Sequence, residues 1–261
     1  MSRVLWVIAT LWQREMVRFY RQPSRVIGAL GSPFIFWLLI GSGIGTSFRS
    51  GAAQPQNYLE YFFPGTILLI LLFTSIFSTI SLIEDRRQGF LQGILIAPIP
   101  RYSFVLGKIL GGTTLAFLQG VLFLLLGPWA GIKIHFSNWP AIAGALFIAA
   151  FAMTALGFFI AWRFQSVQGF HAVMNLFLIP IWILSGALFP PSGASNWLRV
   201  VMIYNPLSYS LALIRASLFG SPALEPFPAV SLSVAVTLVF GFTCFALSAL
   251  AAASTGQADA Q

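Results

Sequence analysis

The side chains able to do chemistry are few and unevenly placed. Six of the twenty formal charges in this 261-residue chain, Glu84, Asp85, Arg86, Arg87, Arg101 and Lys108, fall in the stretch IEDRRQGFLQGILIAPIPRYSFVLGK, residues 83–108. Six long runs, 26–48, 61–83, 109–132, 134–162, 164–198 and 226–258, carry no charge at all. General acid-base catalysis within those runs lacks its usual carboxylates. Neither a G-x-S-x-G nucleophile elbow nor a G-x-x-x-x-G-K-[ST] phosphate loop occurs; Lys108 follows Gly107, but the other residues of the loop are missing. The GSGIG at 41–45 follows no strand and misplaces the third glycine of a dinucleotide fingerprint. Cys244 is the single cysteine, so one chain forms no disulfide. These residues predict no catalytic, cofactor-binding or metal site, and a non-enzymatic chain.

The elements that must position the charged stretch follow from composition. A chain that is 58% hydrophobic and 8% charged is far from a soluble domain, whose charged share is about 25%. Each uncharged run exceeds the roughly 20 residues a helix needs to cross hydrocarbon, and none alternates with period two, which favours helices over a barrel. The expected fold is a single all-α polytopic membrane domain, 1–261, with spans near 26–48, 61–83, 109–132, 141–162, 170–190 and 230–252. With the N terminus inside, ten of the fourteen Lys and Arg lie on cytoplasmic segments and four, Arg49, Lys133, Arg199 and Arg215, on outer ones. The positive-inside rule then puts both termini in the cytoplasm. His135 and His171 fall on opposite sides and cannot share a metal. The net charge of +8 is accounted for by topology and anionic membrane lipid, with no nucleic-acid partner required.

Three segments outside the spans stand out. Over 3–22, Arg3, Arg14, Arg18 and Arg21 share one sector while Leu5, Ile8, Trp12, Met16 and Phe19 cluster opposite, which predicts an amphipathic interfacial helix ended by Pro23. Between the second and third spans, 84–104 carries EDRRQG, then Phe90, Leu91, Ile94 and Leu95 at helical spacing, then the stop APIP. This predicts a short helix along the membrane, its charges toward the cytosol, which either ordinary positive-inside charge or a docking surface for another protein explains. Between the fifth and sixth spans, the fifteen residues separating Arg199 from Arg215 are too few to cross and contain Asn205-Pro206. They predict short outer-face helices, with Arg199 and Arg215 snorkelling to headgroups or lining an exit path. Asp, Glu, Lys and Arg are absent from the runs, so any uphill transport draws its energy from outside the membrane.

The pattern EDRRQGFLQGILIAPIPRYSFVLGK, with QREMVRFYRQP before the first span, YFFPGTILLILLF opening the second and LSGALFPPSGASNWLRVVMIYNPLSYSLALIRA after the fifth, resembles the membrane-spanning permeases of type-2 ATP-binding-cassette transporters. LIAPIP and the N-terminal segment are closest to the drug or lipid exporter branch. The resemblance implies a permease subunit that, with a second copy as a homodimer, forms the path for an amphiphilic drug, lipid or glycolipid across a bacterial inner membrane. The power source would be a separate P-loop ATPase subunit carrying ATP and Mg, with no cofactor on this chain. It implies that Glu84, Arg86, Arg87, Gly89, Pro98 and Arg101 belong to the coupling helix and its flanks, which fit the ATPase. Arg14, Glu15 and Arg18 would sit in the interfacial helix meeting the same subunit, and Asn205, Pro206 and Tyr209 in helices capping the exit. The competing reading is a membrane scaffold or assembly factor that binds a cytoplasmic partner and transports nothing.

If the coupling assignment holds, reversing the charge at Glu84 or Arg87 abolishes export and substrate-stimulated ATP hydrolysis while leaving membrane insertion intact. Export assays and membrane fractionation check this.

Overall fold

The computed structural model describes residues 3–44, 58–132, 136–220 and 229–258; Arg49, Lys133, His135, Glu225 and Asp259, and residues 45–48 of the first expected span, lie outside them. The chain runs α1 (Arg3–Tyr20), α2 (Pro23–Ile44), α3 (Tyr58–Arg87), α4 (Phe90–Ile96), α5 (Arg101–Leu124), α6 (Trp139–Ala161), α7 (Val167–Trp182), a π-helical continuation (Ile183–Ala187), α8 (Asn196–Tyr204), α9 (Pro206–Phe219) and α10 (Val230–Ala258). Six of these are long and apolar enough to cross a membrane: α2, α3, α5, α6, α7 with its π segment, and α10. The chain is an integral membrane protein.

The bundle is built around α3. Its apolar window is 89% buried, against 22% for α2 and for α10, and α2, α5 and α6 all pack on it. Among lipid tails there is little hydrophobic gain in bringing apolar helices together, so small residues and interhelical hydrogen bonds do the work. Thr74 Oγ1 donates to Gln119 Oε1 on α5, and the hydroxyls of Ser75 and Thr154 on α6 lie 3.0 Å apart. Gly112 and Gly157 give the room: a Cβ on either would meet Ser78 or Thr79 of α3.

The polar sector of α1 is divided, with Glu15 buried, Arg14 and Arg18 half-buried, and Gln13 and, just past its end, Arg21 exposed. Leu11, Glu15 and Phe19 are buried, and Leu5, Trp6, Trp12 and Tyr20 are exposed. The helix lies against α5, on whose surface Gly107 and Gly111 are one turn apart. A Cβ on Gly107 would sit 3.0 Å from Leu11 Cβ and 3.1 Å from the Ile8 carbonyl oxygen; one on Gly111 would sit 2.7 Å from Glu15 Cβ. Trp12 Nε1 adds a hydrogen bond to Thr114 Oγ1, 3.0 Å.

The third span differs from its expected bounds of 109–132. α5 starts at Arg101, directly after Pro100, and ends at Leu124. Placing the boundary at Lys108 assumes that an ionised side chain must lie outside the bundle, whereas Lys108 is buried within the helix with carboxylate partners.

Gly111→Leu is therefore expected to push α1 off α5. Thermal unfolding in mild detergent should show a loss of about 1–3 kcal/mol, the usual cost of overpacking, and Trp12→Cys should react faster with a polar maleimide in that background.

Candidate functional site

The residues of the charged stretch separate into two groups that bond to other parts of the chain, the exposed Arg87 among them, plus one short helix that faces out. α3 does not stop where its apolar run ends. It continues through Glu84, Asp85, Arg86 and Arg87 to Gly89, whose φ of 74° is the left-handed conformation glycine adopts at helix ends. Asp85 has 0% exposure, which corrects the expectation of solvent-facing charge for this one residue of the loop, whereas Arg87 is exposed.

Asp85 is the hub of the first group. Arg14 of α1 forks onto it, Nη1 to Oδ2 at 3.0 Å and Nη2 to Oδ1 at 2.7 Å. Arg18 Nη1 reaches Oδ1 at 2.8 Å, and Lys108 Nζ of α5 pairs with Oδ2. Lys108 also donates to Glu15 Oε1 at 2.8 Å and Ser81 Oγ at 3.0 Å, and Arg18 Nη2 lies 3.1 Å from Glu84 Oε2. Three cations thus meet three carboxylates from α1, α3 and α5. Burial alone would lower the pKa of Arg14, but hydrogen bonding and charge from Asp85 outweigh it and hold it above its ordinary value. The Arg14 guanidinium also lies 3.7 Å above the Phe90 ring centroid, which ties α4 to the same cluster.

Arg86 and Arg87 form the second group. Arg86 donates to the carbonyls of Phe164, 2.9 Å, and Trp162, 2.8 Å, and Arg87 Nε to that of Gln165, 3.1 Å, all in the turn joining α6 to α7. What the charged end offers to solvent is α4 and its flank. Leu91 is 3% exposed and faces inward, whereas Ile96 is 85% exposed, with Gln92, Gly93, Pro98 and Pro100 also outside and Arg101 half-buried. Beside it, an open groove of about 660 Å³ is lined by Gln13, Arg14, Val17, Arg18, Arg21 and Gln88, among others.

At the opposite end, among the described residues, the bonds that join the helices use no carboxylate. α7 loosens into its π segment, where Gly186 takes φ 88° and frees carbonyls that side chains then occupy. Tyr61 Oη and Arg215 Nη2 both donate to the Gly186 carbonyl, at 2.8 and 2.9 Å, and Tyr58 Oη to that of Leu188 at 2.7 Å. Arg215 is 6% exposed, so it neither snorkels nor lines an open path. Asn205 sits at the elbow where α8 and α9 meet at 81°, donating to Ile181 O at 2.6 Å and capping α9 through Leu207 N at 3.0 Å. Pro206 is the first residue of α9, and Tyr209 Oη ties the elbow by donating to Ile203 O, 2.9 Å.

Sequence reasoning placed Glu84, Asp85 and Lys108 in one stretch but did not single out Asp85 and Lys108. Their signal was available: Gly107 and Gly111 flank Lys108 on α5 in a spacing that admits a second helix, and α1 holds the complementary Glu15 between Arg14 and Arg18.

A family model described as ABC-2 type transporter matches residues 7–219. The putative transport permease ycf38 of Cyanophora paradoxa is 27% identical over 78% of this chain and 71% of its own length. Nodulation protein J of Sinorhizobium fredii is 24% identical over 93% and 91%. The daunorubicin resistance ABC transporter permease protein DrrB1 of Streptomyces coeruleorubidus is 21% identical over 84% and 78%.

Breaking a buried ion pair from one side leaves a charge uncompensated, so Asp85→Asn is expected to destabilise the chain by about 3–5 kcal/mol. Glu15→Gln and Lys108→Met should each destabilise it, and the double variant should cost less than the two singles together, with a coupling of roughly 0.5–3 kcal/mol. Thermal unfolding of the four proteins in one detergent measures this.

Proposed function

Because the chain belongs to the ABC-2 type transporter family, we propose that it is the permease subunit of an exporter, paired with a second copy and driven by a separate P-loop ATPase subunit that holds ATP and Mg. The chain itself is non-catalytic in this reading. It lies in a bacterial inner membrane with both termini and the Asp85 cluster on the cytoplasmic side, in line with the positive-inside distribution. Relatives named for resistance to daunorubicin and doxorubicin favour an amphiphilic cargo.

The observation that carries the reading is that α1, α3 and α5 are bound into one unit by the Asp85 cluster at the end from which α4 projects. A force applied to α4 or to the α1 groove acts on two spans at once. In the proposed cycle, ATP closes the ATPase dimer, which displaces α4 and α1; the unit turns α3 and α5 and opens a path between the two copies. The ATPase shifts that equilibrium only through contacts that differ between the states. Ile96, Pro98 and Arg101 on the α4 flank, with the groove walls Arg14 and Arg18, are the proposed docking surface; Glu84, Glu15 and Gly89 hold its shape from within. Asn205, Pro206 and Tyr209 set the elbow proposed to cap the exit. The second copy is supported by α7, whose exposed face carries Asn175 near the middle of the span. An amide facing lipid there is costly, and a partner or an aqueous path would satisfy it.

The test is to co-express the chain with the P-loop ATPase that purifies with it from native membranes and to reconstitute both in lipid. A stoichiometric complex that hydrolyses ATP and moves daunorubicin into inverted vesicles is expected. Ile96→Glu should weaken ATPase binding by at least about tenfold, or 1.4 kcal/mol, without lowering the permease's own unfolding temperature. An intact, folded permease that brings no ATPase with it would overturn the reading in favour of a scaffold.

A further inference from the structure

Resemblance assigns Arg86 and Arg87 to the surface that meets the ATPase, yet both turn toward the chain's own backbone. The turn they grip, residues 162–166, is short, and three of its carbonyls accept from these two guanidinium groups, within 2.8–3.1 Å. The Arg86 guanidinium also lies 5.3 Å over the Trp162 ring. Trp162 is the C-cap of α6, where unpaired carbonyls carry partial negative charge and favour a cation. Just beyond the last gripped carbonyl, Ser166 Oγ accepts from Gly169 N at 3.0 Å and starts α7. Arg163, in the same turn, lies instead over Phe159 and is exposed. A positive-inside bias alone would leave Arg86 in solvent, as Arg163 is; Arg87 is exposed, yet its Nε still donates to a backbone carbonyl of the turn.

The last turn of α3 therefore has connections in three directions: through Asp85 to α1 and α5, through Gly89 to α4, and through Arg86 and Arg87 to the base of α7. We propose that Arg86 and Arg87 are positioning residues that make the α6–α7 turn part of the moving unit, so that displacement of α4 is passed to α7, the span that presents Asn175. The inference rests on the transporter reading for its consequence, but the grip itself is a property of the permease alone. Lysine cannot replace Arg86 fully, because a single ammonium on a flexible stem does not reproduce the fork that spans the Trp162 and Phe164 carbonyls.

The experiment uses the full chain in lipid nanodiscs, with Cys244→Ala as background and spin labels on Gln92→Cys in α4 and Ala172→Cys in α7, both exposed positions. In the permease alone, the label pair should give one narrow distance distribution. Arg86→Gln with Arg87→Gln should broaden it and speed amide exchange over residues 163–169 by at least about tenfold, an opening of that local unit; Arg86→Lys should fall between. Unchanged distances and exchange in the double glutamine variant would overturn the grip. In the complex, with the α7 label alone, non-hydrolysable ATP should shift the distance between the α7 labels of the two copies. In the double variant that shift should be lost, with ATPase affinity within about twofold of the parent. If the shift persists, or if affinity falls instead because the arginines contact the ATPase directly, the inference fails. If the parent permease binds no ATPase, the transporter reading fails separately, and the distances in the permease alone decide the grip.

Discussion

A carboxylate with no exposure must be given counter-charge or it will not stay ionised, and Asp85 stands in that position at the end of the most buried helix of the bundle. α3 itself offers no cation that turns toward it, since Arg86 and Arg87 are engaged with the α6–α7 turn. The counter-charges come from Arg14 and Arg18 one helix away and Lys108 another. This demand fixes much else. α1 must lie close enough for its guanidinium groups to reach, which requires the bare surface at Gly107 and Gly111. α5 must extend inward as far as Arg101 so that Lys108 sits within the bundle. Glu15 then has to be buried beside Lys108, which it satisfies in turn.

The two ends of the bundle are held by different chemistry for the same reason. Helix termini leave backbone groups without partners, and in a membrane those groups have little water to fall back on. At the charged end, arginines take the carbonyls at the close of α6. At the opposite end, the loosened π turn of α7 is closed by Tyr58, Tyr61, Asn205 and Arg215. Arg215 is a buried cation held by a carbonyl and by the face of Tyr61, 4.5 Å from its ring centroid. The middle of the bundle relies on small residues and hydroxyl pairs.

The outer spans complete the picture. α2 and α10 leave most of their apolar surface outside the bundle, with Ile35, Leu39, Val239 and Leu250 more than half exposed. Such faces meet lipid or another apolar surface without cost. The exposed amide on α7 is different, because hydrocarbon cannot pair with it, and this singles out one side of the molecule from the rest.

The membrane class, the six spans and the family pattern were all legible in the sequence. Hydrocarbon thickness, the backbone's need for internal hydrogen bonds and the behaviour of proline act on local sequence alone. Pro23, Pro100 and Pro206 mark helix starts or ends wherever the chain finally packs. The direction in which each charge points was decided only by tertiary structure. Arg14, Glu15, Asp85 and Lys108 are distributed over distant segments, Glu15 and Lys108 being ninety-three residues apart, and their sequence neighbours are compatible with a solvated surface. Only when α1 lies across the glycines of α5, beside the end of α3, does the energy of burying one carboxylate gather these cations around it; and only then do Arg86 and Arg87, free of that duty, turn to the carbonyls of another loop.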